Sequence, residues 1–359
     1  VSAPRPKSTI AEIEPYRAGR ASAPGFQNPI KLSANENPLG CSEHALAAYR
    51  QAESSLHLYP DPRASALRAA LGAKHGLDPD RIVFGAGSDE VFALVCQAFL
   101  SPGENMVQPQ FAFAAWAIAA RAAGAAVKSA PERDYTVDVD AMLAEVDAAT
   151  RVVFVANPAN PTGGYIPGSE IERLHAGLPE HVLLVLDGAY AEFAPGGGAG
   201  DWRLCADRPN ILVTRTFSKL HGLASLRIGW GYGAPEVIDA LNRIRLPFNV
   251  PAAGQAAALG ALKDDDFVAR SIAAAEHGRE RLARLFFGYG WRALPSRANF
   301  VTVEAPNALA ARELESRLAE RGILVRGLSN YGMPSCLRVS AGRADQLDAL
   351  EQALEALLR

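Results

Sequence analysis

What most restricts the fold of this chain is an alternation of short apolar, β-branched runs with helical stretches of ten or more residues. Arg81-Ile-Val-Phe84, Asn105 to Gln108, Ala125 to Ser129, Arg151 to Ala156, His181 to Asp187, Ile211 to Thr214 and Leu226 to Tyr232 are the strand candidates. Ala64 to Lys74, Ser88 to Leu100 and Ala112 to Ala123 read as helices between them. Strands that are apolar at consecutive positions need cover on both faces, so the pattern predicts an α/β fold with a mostly parallel sheet between helices. Past Pro251 a long helical region runs through Gln255 to Leu259 and Phe267 to Phe287, ending at Gly288-Tyr-Gly290. A smaller α+β segment follows, with strands at Asn299 to Glu304, Ile323 to Arg326 and Leu337 to Ser340, and helices at Ala308 to Glu320 and Ala344 to Leu358. The stretch before residue 41 is rich in Pro, Gly, Asn and charge and reads as an arm ordered by lying on something else. The expected parts are thus an arm (1–40) touching the small domain and a dimer partner, a large domain (41–250), connecting helices (251–289) and a small domain (290–359).

Charge and cysteine usage exclude several function classes. Lys plus Arg is 36 against 39 for Asp plus Glu, a net charge of -3. Without a basic surplus the chain is not expected to bind nucleic acid. Cys41, Cys96, Cys205 and Cys336 are scattered with no CxxC spacing, so neither a disulfide scaffold nor a zinc knuckle is expected, and a reducing cytoplasm is the expected location. The histidines form no HExxH, and Glu172 with His175 is an isolated pair, so no metal is expected. The longest apolar run, Phe111 to Ala120, is about half of a membrane span, and Val1 to Ile10 has no signal-peptide core. Pro195 to Gly200 is a glycine-rich loop without evident chemistry.

Four stretches ask for more than folding. Gly85-Ala-Gly-Ser-Asp-Glu90 joins a strand to a helix; by itself it reads first as a capped turn and second as an anion site on exposed N–H groups. Asn157-Pro-Ala-Asn-Pro-Thr-Gly163 stiffens the chain where a strand ends, at the sheet edge where α/β proteins bind ligands. Asp187 ends an apolar strand, and a carboxylate buried there needs a cation, a cap or a salt bridge. Lys219, one of six lysines against thirty arginines, follows the hydroxyls of Thr216 and Ser218 and precedes Arg227. A guanidinium with hydroxyls suits a phosphate, while an amine of lowered pKa suits an aldehyde. One ligand carries a phosphate, a ring oxygen, a ring nitrogen held protonated, and an aldehyde: pyridoxal 5'-phosphate.

With these motifs the chain resembles the fold-type-I pyridoxal-phosphate-dependent aminotransferases of class I/II, and within them the histidinol-phosphate aminotransferase family. The resemblance spans nearly the whole chain and rests on Leu32-Ser-Ala-Asn-Glu-Asn-Pro38, Tyr59-Pro-Asp61, Gly85 to Glu90, Asn157 to Gly163, Asp187 to Tyr190, Thr216-Phe-Ser-Lys219 and Leu337 to Gly342. It implies that Lys219 forms the Schiff base and shuttles the proton, and that Asp187 pairs with the pyridinium. Asn160 and Tyr190 would bind the ring hydroxyl. Backbone groups of Ala86, Gly87 and Ser88, with Thr216, Ser218 and Arg227, would hold the phosphate. Tyr59 would reach the cofactor of a neighbouring subunit, making the protein a homodimer. Arg338 and Arg326 would grip the anionic end of the substrate, with Tyr16 and Asn35 of the arm beside it.

The implied reaction is ping-pong transamination of histidinol phosphate with 2-oxoglutarate, giving imidazole acetol phosphate and glutamate in histidine biosynthesis. An aromatic amino acid aminotransferase and a phospho-amino-acid decarboxylase share the same cofactor residues. The chain departs from the pattern at three places. Trp116 falls where an aromatic, commonly tyrosine, stacks on the ring, with Phe113 nearby. Gly188 stands where many relatives have glutamate, and Ser225 where many have glycine.

Overall fold

Consecutive buried positions along one strand must serve two cores at once, and the central strands do so. In the computed structural model, which describes residues 4–16, 18–197, 202–205 and 208–358, Val107, Val153, Val155, Leu184, Leu186 and Val213 pack into one hydrophobic cluster. Their neighbours Met106, Val152, Phe154, Leu183, Val185 and Leu212 pack into a second on the opposite face. Period-two alternation with both faces apolar makes this a sheet sandwiched between helical layers.

The strands in chain order are β1 (Ile30–Lys31), β2 (Ile82–Ala86), β3 (Asn105–Pro109), β4 (Ala126–Ala130), β5 (Thr150–Ala156), β6 (Leu183–Asp187) and β7 (Ile211–Thr216). They continue with β8 (Ile228–Gly233), β9 (Arg292–Ala293), β10 (Phe300–Glu304), β11 (Ile323–Leu324), β12 (Arg326–Gly327) and β13 (Cys336–Ser340). The large sheet has seven strands in the order β2-β8-β7-β6-β5-β3-β4. β4, β3, β5, β6 and β7 run parallel, and β8 is antiparallel to both β7 and β2. The α/β expectation with a mostly parallel sheet holds, and the reversed β8 has a consequence for the site. It brings its own start, Arg227-Ile228, to the same sheet edge as the C-terminal ends of β2, β5, β6 and β7.

A second, four-stranded antiparallel sheet, β12-β13-β10-β9, lies in the C-terminal part. Its apolar cluster joins Val301, Val303, Val339 and Leu337 to Leu282, Phe286, Leu314, Leu350 and Leu354 of surrounding helices. The arm enters this region through β1, which pairs in parallel with β11. The sequence reads Ile323 to Arg326 as one strand, but the structure divides it. Ile323 and Leu324 face the arm, while Arg326 and Gly327 pair with β13. The long helical region likewise divides into Ala252–Ala261 and Asp265–Gly288, because Asp264 caps the second helix by accepting from Phe267 N at 2.9 Å. In the glycine-rich loop, residues 195–197 form a short 3-10 turn, and 198–200 lie outside the described residues. No described helix is long and apolar enough to cross a membrane.

Candidate active site

Ala86, Asp187 and Thr216 end β2, β6 and β7, Asn160 follows β5 and Arg227 precedes β8. Parallel register and the reversed β8 therefore deliver these residues to one sheet edge. A cavity of about 330 Å³ lies there, lined by Asn160, Asp187, Tyr190, Thr216, Ser218, Lys219 and Arg227 from the large sheet. Arg326 and Arg338 from the smaller sheet, and Tyr16, Ser33, Ala34 and Asn35 from the arm, complete the walls.

Burial tunes Lys219, Asp187 and Tyr190. Lys219 donates through Nζ to the Ala34 carbonyl at 3.1 Å. Desolvation, then the Arg338 charge, lowers its pKa to about 8, so a neutral amine is accessible near physiological pH. Asp187 is 6% exposed, and its Oδ1 accepts from Ala189 N at 2.9 Å. Burial pushes its carboxyl up to about 7, an acid that ionises readily once a cation stands against it. Burial likewise raises Tyr190 to about 12, so its hydroxyl remains a donor. Asn160 Oδ1 accepts from Arg338 Nη1, which orients the amide so that Nδ2 is the donating end. Asn157, in the same motif, is a loop staple instead: its Nδ2 donates to Ile166 O at 2.8 Å and its Oδ1 accepts from Ile166 N at 3.0 Å.

An anion cradle lies at the start of the helix Ser88–Phe99. Ser88 and Asp89 line the cavity, and unpaired N–H groups of a first helical turn attract negative charge. Arg227, held at φ +54, donates to Ser218 Oγ at 3.3 Å and pairs with Asp89 at 3.0 Å. Gly87 is obligatory here, since at φ +81 a Cβ would lie 2.2 Å from Arg227 Nη2. The Ala86 N–H is not available to a ligand, because it donates to the Glu90 carboxylate at 2.5 Å. Glu90 thus fastens the turn through the Ala86 N–H, one residue before the helix cap, while Ser88 and Asp89 line the cavity. Thr216 acts as a turn fastener as well as a wall, accepting from Ser218 N at 3.1 Å.

Arg326 and Arg338 stand directly opposite each other in the β12–β13 register, each 7% exposed. Like charges across a strand pair repel, and burial sharpens the repulsion. Arg338 Nη2 donates to Ser33 O at 3.1 Å, and its Nε is buried without a partner. Both guanidinium-bearing residues thus add positive charge to one wall of the cavity.

Four expectations need correction or refinement. Trp116 does not line the cavity; it is 1% exposed, stacked on Phe154 at 5.1 Å and edge-on to Phe92. It lies one helical turn beyond the cavity wall, and the aromatic of this segment that lines the wall is Phe113, with Tyr16 edge-on to it at 6.2 Å. Asn35 lines the cavity, but its amide is committed, donating to Tyr190 Oη at 2.9 Å and accepting from Ser340 Oγ at 3.1 Å. Its φ of +56 is one that asparagine tolerates better than most residues. Ser225 is exposed and outside the cavity. Tyr59 is also outside this chain's cavity, 82% exposed and stacked on Phe248 at 4.6 Å. The sequence reading passed over Asp89, which the helix-capping pattern hides among ordinary first-turn acids.

Gly188 also gains a reason. A Cβ there would lie 1.7 Å from Arg215 Nη1, and Arg215 stacks over Trp202 at 4.4 Å and pairs with Glu192 at 3.5 Å. The acid that pairs with this buried arginine comes from Glu192, and Gly188 leaves it room. Gly188→Ala should lower the unfolding free energy by roughly 1–3 kcal/mol, the usual cost of overpacking. Urea midpoints unchanged from the parent chain would contradict this.

The family model for aminotransferase class I and II matches residues 27–357. Histidinol-phosphate aminotransferase 1 of Caulobacter vibrioides is 48% identical over 352 residues, covering 97% of this chain and 98% of the relative. The histidinol-phosphate aminotransferase of Erythrobacter litoralis is 49% identical over 358 residues, covering 98% and 96%. Among solved structures, histidinol-phosphate aminotransferase from Sinorhizobium meliloti, in complex with pyridoxal-5'-phosphate, superposes with a TM-score of 0.92 at 30% identity. That match covers 100% of this chain and 99% of the other.

Proposed function

Because the chain belongs to the aminotransferase class I and II family, we propose that this cavity holds pyridoxal phosphate and transfers the amino group of histidinol phosphate to 2-oxoglutarate, a step of histidine biosynthesis. The observation that carries the reading is the meeting of a lysine of lowered pKa, a buried carboxyl and a facing arginine pair in one cavity. The donor set fits the cofactor group by group. Ser88 and Asp89 backbone N–H groups, Ser218 and Arg227 would take the phosphate, Asp187 the ring nitrogen, and Tyr190 with Asn160 the ring hydroxyl. Pyridoxal phosphate, when bound, offers an aldehyde for the substrate amine and an electron sink for the pair left at Cα.

The chain's own residues do the rest. Lys219 Nζ, in its neutral form, would hold the group through its aldehyde, and when free of it would serve as the base that takes the substrate Cα proton. Asp187, ionised against the ring nitrogen, keeps that nitrogen protonated. Arg326 and Arg338 hold the phosphate of histidinol phosphate in one half-reaction and a carboxylate of glutamate or 2-oxoglutarate in the other. Ser33 to Asn35 and Tyr16 cover the cavity and limit water. The exposed apolar residues Leu56, Leu58, Tyr59 and Leu246, with Tyr59 on Phe248, support a homodimer in which Tyr59 reaches the partner's cofactor phosphate.

A coupled assay tests the reading: loss of histidinol phosphate should require 2-oxoglutarate and match glutamate formed, with parallel double-reciprocal lines. Histidinol phosphate left intact, with carbon dioxide released from a phosphorylated amino acid offered in its place and no glutamate formed, would identify a decarboxylase instead. The amine's pKa gives a second expectation. At pH 8 about half of Lys219 is neutral, against under 1% for an ordinary lysine. The rate at which apoenzyme captures pyridoxal phosphate should therefore rise with pH and level off above about 8. A rate still climbing steeply at pH 10 would contradict the lowered pKa.

A further inference from the structure

We propose that Gln108 reads the side-chain ring of the amino donor, accepting a hydrogen bond from a ring N–H in a second cavity beside the cofactor cavity. The inference rests on the histidinol phosphate reading above. The second cavity, about 380 Å³, lies under the arm and is walled by Tyr16, Gln108, Gln110, Ile118 and Tyr331, among others. Tyr16 belongs to both cavities, so a substrate anchored on the arginine pair has this space next to its free end.

Gln108 lies at the C-terminal end of β3, parallel to β5, and so faces the same sheet edge as the catalytic groups. It is 8% exposed, its Nε2 reaches Ser129 Oγ at 3.4 Å, and its Oε1 is buried without a partner. A buried carbonyl oxygen with no donor is costly and rare. Nothing in the transamination chemistry uses it. An occupant bearing an N–H removes the cost, and an imidazole carries one in every protonation state whereas a phenyl ring has none. Glu12 and Glu14 line this cavity against Arg121, an acidic balance that favours a basic ring further. A site built around a hydrogen-bond acceptor rejects a ring lacking the donor by more than shape alone allows.

The test uses holoenzyme, with the two half-reactions followed separately by cofactor absorbance. Gln108→Leu should weaken histidinol phosphate roughly ten- to hundredfold in apparent affinity while leaving glutamate within about twofold. Gln108→Glu keeps the acceptor and should restore histidinol phosphate to within about threefold of the parent. Unchanged histidinol phosphate kinetics in Gln108→Leu would overturn the proposal, and so would an equal loss for both substrates, which marks a structural role. A parent enzyme that ignores histidinol phosphate but accepts phenylalanine would overturn the functional reading itself, and this inference with it.

Discussion

Lys219→Ala is expected to abolish turnover, by a factor on the order of 10⁴ or more, while the chain remains folded. Both roles of the amine vanish together: among the described residues the other lysine lining the cavity, Lys31, is engaged with Glu36 at 2.7 Å and does not stand where Lys219 Nζ does. Folding should survive because the substitution removes a desolvated cation that already suffers from the Arg338 charge. Only one hydrogen bond, to Ala34 O, is lost with it. The thermal midpoint should accordingly stay level or rise. Turnover within tenfold of the parent would remove Lys219 from the mechanism.

Arg338→Ala should weaken anionic substrates by a factor of roughly 10² to 10³, since truncating one side of a buried, hydrogen-bonded charge pair costs several kcal/mol. Cofactor capture should change far less, because the phosphate cradle is built on Arg227, Ser218 and the helix at Ser88. Arg338→Lys should fall between, keeping charge but losing the fork that serves Asn160 and Ser33 together. Titrating each variant with pyridoxal phosphate and, separately, with glutamate distinguishes the two effects. Equal losses for both would mean that Arg338 supports the site as a whole instead of gripping substrate.

The parts legible in the sequence were those in which residue type and strand end coincide. Asp187 after an apolar run, Lys219 after hydroxyls and Asn160 after a strand each announce chemistry at a sheet edge, and parallel register collects them. Phe113 and Trp116 show where that logic ends. They are three residues apart, and whether an aromatic meets a cavity or the core depends on which turn of the helix reaches the sheet edge. Arm contacts were hidden for another reason. Ala34 O and Ser33 O act through the backbone, so no side chain signals them. The Arg326–Arg338 juxtaposition required the strand break after Leu324, where the chain leaves the arm and joins the smaller sheet.

The most direct test of the central claim is a single half-reaction. Holoenzyme is mixed with histidinol phosphate, without any oxo acid, and the visible band of the lysine-bound cofactor is followed beside a parallel sample given phenylalanine. Rapid bleaching by histidinol phosphate at low concentration, with phenylalanine slow, is the result expected here. Rapid bleaching by phenylalanine with histidinol phosphate inert would contradict it and make the protein an aromatic amino acid aminotransferase.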